Sequence, residues 1–151
     1  MRIAATQYSL SYKALEIYIS GCKAPHCEGC HNPELWDFSI GSEFTEEWKE
    51  AISSKVLKAK GLIDKFTIFG GEPLDANREQ FIALLDFLRT FDKEIWVFTR
   101  YEFDEIPDEI LKRISFTKCG RYLKNLVTDS NKQFGFDLAT SNQYIKKSPY
   151  A

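Results

Sequence analysis

The run Ala14-Leu15-Glu16-Ile17-Tyr18-Ile19-Ser20-Gly21-Cys22-Lys23-Ala24-Pro25-His26-Cys27-Glu28-Gly29-Cys30-His31 decides the fold of this 151-residue chain. Its first half sets apolar Leu15, Ile17 and Ile19 against polar or aromatic neighbours, the period-two pattern of a β-strand over Leu15 to Ser20. Its second half packs three cysteines into nine residues, directly past the C-terminal end of that strand. In α/β folds, ligand sites gather at that edge of the sheet.

Outward from this run the chain alternates strands and helices. Glu46 to Lys60 reads as a helix, with Thr45 as N-cap, acidic Glu46 and Glu47 in the first turn, Lys58 and Lys60 in the last, and Gly61 as the stop. Lys65 to Phe69 is a second strand, closed by Gly70-Gly71. Asn77 to Phe91 is the clearest helix, because Phe81, Leu84, Leu85, Leu88 and Phe91 recur on one face. Glu94 to Thr99 is a third strand, Pro107 to Arg113 a short helix, and Ile114 to Cys119 a fourth strand. The segment from Phe136 to Ile145 has no decisive pattern. This order predicts an α/β fold with a mostly parallel sheet and right-handed crossovers. A full eight-unit barrel takes roughly 250 residues, so an open, partial (βα) barrel or a short α/β sheet is expected, as a single domain over residues 1–151.

Composition narrows the class. The chain is 44% hydrophobic and 15% aromatic, which suits a folded globular protein, and its formal net charge of −2 points to neither a nucleic-acid nor a membrane surface. No run approaches the ~18 apolar residues of a membrane span, and the polar N-terminus does not read as a signal peptide. A cytoplasmic location is the expectation, where clustered cysteines bind metal or do redox work more often than they form disulfides.

Thiolates suit iron–sulfur clusters and zinc. By itself the loop fits a zinc site completed by His26 or His31 as well as it fits a cluster, although each histidine adjoins a cysteine and chelation by both neighbours is awkward. Clusters are usually held by four thiolates. Three, from Cys22, Cys27 and Cys30, would leave one iron open to a substrate or cofactor. Gly70-Gly71-Glu72-Pro73 lies between a strand and a helix. The glycines let a ligand approach the backbone, Glu72 can accept hydrogen bonds from an ammonium group, and Pro73 fixes the chain direction. An ordinary tight turn explains the same residues, unless the second strand lies beside the first and the turn faces the cysteine loop.

Together the two segments resemble the radical S-adenosylmethionine (SAM) enzymes. In that family three cysteines hold a 4Fe–4S cluster whose fourth iron is chelated by SAM, and a Gly-Gly-Glu-Pro segment binds the methionine ammonium. More narrowly, Gly21-Cys22 through Cys27-Glu28-Gly29-Cys30-His31-Asn32-Pro33-Glu34-Leu35-Trp36 is similar to the activating proteins of anaerobic ribonucleotide reductase. Lys93 to Tyr101, Gly120-Arg121-Tyr122 and Ser141-Asn142-Gln143 resemble further landmarks of that family. One departure stands out: four residues separate Cys22 from Cys27, where the family has three.

The resemblance implies a partial, open barrel of the radical SAM type. Its metal ligands would be Cys22, Cys27 and Cys30, with SAM contacts from Gly29, Cys30, His31, Gly70, Gly71, Glu72 and Pro73. It implies a glycyl-radical activase that cleaves SAM reductively at the cluster. The resulting 5′-deoxyadenosyl radical takes hydrogen from a glycine of the reductase large subunit, with no catalytic side-chain acid, base or nucleophile. The implied partners are that subunit and an electron donor such as flavodoxin or ferredoxin; a homodimer could cover the open side. A small radical SAM enzyme acting on a metabolite, similar to 7-carboxy-7-deazaguanine synthase, is the nearest alternative, and a non-catalytic zinc or electron-transfer module the next. Cys119 reads as a buried, idle cysteine, His26 and His31 as loop residues, and Trp36, Trp48 and Trp96 as packing residues. Arg100 and Tyr101 follow a strand and could touch SAM or a partner.

Overall fold

The structure, a computed structural model, describes residues 1–151. Strand β2 (Ala14–Ile19) is followed in parallel by β4 (Lys65–Gly70), β5 (Glu94–Phe98) and β6 (Phe116–Cys119). Helices α1 (Glu46–Ala59), α2 (Arg78–Arg89) and α3 (Asp108–Leu111) lie in the connections between them. The register sets Ile19 opposite Gly70 and Ile68 opposite Val97, so the C-terminal ends of these strands lie side by side.

Around the parallel centre the edges are antiparallel. Strand β1 (Arg2–Ser9) pairs with β2, the two-residue β3 (Ser42–Glu43) covers β1, and β9 (Tyr144–Lys147) pairs with β6, giving the order β3-β1-β2-β4-β5-β6-β9. A separate two-stranded ribbon joins β7 (Lys132–Gln133) and β8 (Phe136–Asp137). The mostly parallel central sheet agrees with the sequence reading; the antiparallel borders were not expected. Their cause is legible afterwards: only Ile3 is buried in β1 and only Ile145 in β9, too few residues to write an alternating pattern.

The main core lies between one face of the sheet and the helices. The stripe of α2 delivers Phe81, Leu84, Leu85 and Leu88, all essentially inaccessible, against Ile17, Phe66, Ile68 and Ile95. Each such side chain contributes about 1.5–3 kcal/mol. Asn77 starts α2 by accepting the Gln80 amide at 3.0 Å. Helix α1 ends with left-handed Lys60 and Gly61, one turn where the sequence suggested. A smaller cluster on the other face joins Trp96, Phe116, Phe136, Leu138 and Ile145. The patternless C-terminal segment therefore covers that face.

Candidate functional site

Four neighbouring strand ends build the site, and the glycine pair fits two of them together. At Gly70 a Cβ would stand 1.9 Å from the carbonyl oxygen of Ile19, and its φ of +139° disfavours any other residue. At Gly71 a Cβ would stand 2.4 Å from the carbonyl oxygens of both Gly21 and Leu35. The missing side chains thus let the end of β4 press against the chain leaving β2, and two backbone bonds seal the contact: Gly71 N–H to Ile19 O at 3.0 Å and Glu72 N–H to Gly21 O at 2.7 Å. The turn after the second parallel strand faces the cysteine loop, the condition under which it is more than an ordinary turn.

Glu72 is 1% exposed. Its carboxylate accepts the Thr99 hydroxyl at 2.8 Å, the Leu74 amide at 3.0 Å and the Arg100 amide at 2.7 Å, which ties the ends of β4 and β5. Burial pushes its carboxyl above the ordinary range, against the pull of these donors. Two residues after Pro73, Asp75 collects the Lys23 amide at 2.8 Å, the Arg100 guanidinium at 3.1 Å and the Tyr101 hydroxyl. Arg100 in turn donates to the carbonyls of Lys23 and Pro25, both at 2.7 Å.

The cysteine loop is thereby held through its backbone. Gly21 and Cys22 donate to the carbonyls of Leu35 and Trp36 at 2.8 and 3.1 Å, and the His26 ring stacks on Trp36 at 4.0 Å. The four residues between Cys22 and Cys27 lie in this braced stretch. Past β6, Arg121 donates to the Pro25 carbonyl at 3.0 Å and to the Cys27 sulfur at 3.6 Å, and Lys124 pairs with Glu28 at 2.7 Å. The Gly120–Arg121 backbone is pinned by Gln143 and Asn142.

These pieces surround one cavity of about 270 Å³, open on one side. Cys22, Cys27, Cys30, His31, Gly70, Gly71 and Glu72 all line it. Gly29 and Pro73 do not: Gly29 takes a positive-φ turn packed against Tyr122, and Pro73 starts a buried 3-10 turn, Pro73–Asp75. Cys119 is fully buried in the main core, away from the cavity wall. Trp96 is a core residue, Trp48 packs against the core, and Trp36 packs on the loop while also lining the cavity.

Sequence reasoning missed Asp75 and Lys118, and named Arg121 only within the Gly120-Arg121-Tyr122 landmark, without a role. Lys118 projects from β6 to the cavity, where its ammonium donates to Gly120 O at 3.3 Å; burial lowers its pKa and the charge of Glu72 counters that. A carboxylate-bearing ligand would find its counter-charge there. A lysine inside an apolar strand pattern was the available signal.

The donor set suits an iron–sulfur cluster. Three soft sulfurs share one cavity wall beside a rim that lacks side chains, and the fourth cysteine is elsewhere. No three His, Cys, Asp or Glu side chains converge to hold a single metal ion. Burial pushes the Cys22 thiol up to about 11, so in the metal-free chain it stays protonated and ligation would release the proton.

Comparisons with known proteins agree with this chemistry. A family model described as a 4Fe-4S single cluster domain matches residues 13–146. The chain is 34% identical to the anaerobic ribonucleoside-triphosphate reductase-activating protein of Enterobacteria phage T4, over 74% of this chain and 72% of that protein. It is 31% identical to the protein of the same name from Vibrio cholerae, over 72% and 73%. It is 26% identical to that from Escherichia coli, over 73% and 75%. No solved structure matches.

Proposed function

We propose that this chain, which belongs to the 4Fe–4S single-cluster domain family and to the anaerobic ribonucleoside-triphosphate reductase-activating proteins, is a glycyl-radical activase for such a reductase. Cys22, Cys27 and Cys30 would hold the cluster, and SAM would occupy the cavity beside them. The reduced cluster, when bound, supplies the electron for reductive cleavage of SAM, the reaction from which a glycyl radical on the reductase follows. The central sheet is then the open half of a radical SAM partial barrel.

The chain's own residues position and exclude. Gly70 and Gly71 present bare backbone at the rim, and Glu72 lines the same cavity, where its carboxylate would receive an ammonium group. Lys118 offers a cation for a carboxylate. His31 and Cys30 approach from the loop, with Gly29 setting the turn and Pro73 setting the direction after Glu72. No side chain has to act as acid, base or nucleophile. The open side suits a glycine loop of the reductase large subunit, with an electron donor such as flavodoxin or ferredoxin acting in turn; a homodimer is compatible with the same opening.

The observation that carries the reading is the single cavity shared by three cysteines and Gly70-Gly71-Glu72. The test is anaerobic reconstitution with iron and sulfide, reduction, and addition of SAM and reductase, followed by electron paramagnetic resonance. A glycyl signal that needs all components is the expected result. Iron-loaded protein that leaves SAM intact beside the reductase would overturn the proposal.

A further inference from the structure

Of the cavity's three cysteines, Cys27 receives a cationic donor at its sulfur. The Arg121 guanidinium stands 3.6 Å from Cys27 Sγ and also donates to the Pro25 carbonyl at 3.0 Å. Its backbone is fixed from behind, because Asn142 donates to Arg121 O at 3.0 Å and Gln143 to Gly120 O at 3.2 Å. The same segment grips the loop twice more, through Lys124 on Glu28 and through Tyr122, edge-on to His31 at 4.9 Å. The guanidinium is therefore anchored at both ends of its reach.

We propose that Arg121 is a positioning residue that fixes Cys27 as a ligand and raises the reduction potential of the cluster held there; this rests on the cluster reading above. A donor on a ligating sulfur withdraws electron density, and a nearby positive charge favours the more negative, reduced cluster. Arg100 lies close enough for its charge to act on Cys22, but it donates to no cysteine sulfur, reaching the loop through carbonyl oxygens.

The test is a redox titration of reconstituted protein followed by electron paramagnetic resonance, alongside an iron count. Arg121→Met is expected to keep about four irons per chain. At a fixed potential its ratio of reduced to oxidised cluster should fall about tenfold, a shift of 59 mV for a one-electron couple. Arg121→Lys, which keeps charge and donors, should recover most of the native ratio. An iron-loaded Arg121→Met with the native ratio overturns the proposal. So does an Arg121→Lys as low as Arg121→Met, because displacement of the loop would then explain both. Should Arg121→Met take up no iron, Arg121→Gln is read in its place: it can still donate to Pro25 without the charge, a fall supports the proposal and a native ratio overturns it. A native chain that binds no iron defeats the cluster reading itself, a different and separable failure.

Discussion

Arg100 and Asp75 pair at 3.1 Å with side chains only 9% and 4% exposed. The pair links the end of β5 to the turn after β4, and each partner also bonds the backbone of the cysteine loop. Removing one member of a buried pair strands the other charge, at a cost of about 3–5 kcal/mol. Asp75→Ala is predicted to lose that much in urea unfolding of the metal-free chain. A loss under about 1 kcal/mol would mean that water screens the pair.

Glu72 gives the metal-free chain a pH dependence of definite sign. Its folded pKa is raised by burial, whereas in the unfolded chain a glutamate titrates near about 4.3. Between those two values the native state holds a proton that the unfolded state has lost. Stability attributable to this residue is then complete below about 4.3, falls as pH rises through the raised folded pKa, and levels above it. Denaturation over a pH series should show this slope in the native chain and lose it in Glu72→Gln. The same slope in both proteins would contradict the assignment.

Two glycines of positive φ separate strain from collision. At Gly61 an added Cβ meets no atom within 4 Å, so Gly61→Ala should cost only the left-handed penalty of about 1–2 kcal/mol. At Gly70 the added atom would fall 1.9 Å from a backbone oxygen that cannot move without displacing β2. Gly70→Ala is expected to lose at least twice as much stability as Gly61→Ala, or not to fold. Thermal unfolding decides between these and an equal loss, which would show that the two strand ends are not in contact.

The cysteines should divide three to one. Cys22→Ala, Cys27→Ala and Cys30→Ala are each predicted to lose bound iron and SAM cleavage after reconstitution. Cys119→Ala should retain both while losing about 1 kcal/mol from the core it occupies. Full cleavage by Cys27→Ala would refute the ligand assignment.

Much of this arrangement could be read before any coordinates. Leu15, Ile17 and Ile19 alternate cleanly because β2 is central, and the α2 stripe repeats because one face of that helix is buried. Both cavity motifs are local in sequence, and each carries its chemistry in a few consecutive residues. Strands β1 and β9 escaped because an edge strand with one buried residue leaves almost no pattern. The roles of Asp75, Lys118 and Arg121 escaped for another reason: each residue has its meaning only through a partner on a distant strand end, as Arg121 does with Cys27, and sequence spacing does not encode that. Glycines 70 and 71 were read as giving a ligand access to the backbone, whereas the pressing neighbour in the structure is the chain leaving β2.

Both arginines take hold of the cysteine loop by main-chain oxygens, those of Lys23 and Pro25, while the side chains of Lys23, Ala24 and Pro25 face solvent. Every amino acid carries such an oxygen. Evolutionary drift at positions 23 and 24 can therefore proceed without loosening the grip, and a randomised library there should tolerate any residue that keeps the amide of position 23 for Asp75. The intolerant positions would be the distant arginines and the aspartate that aims one of them.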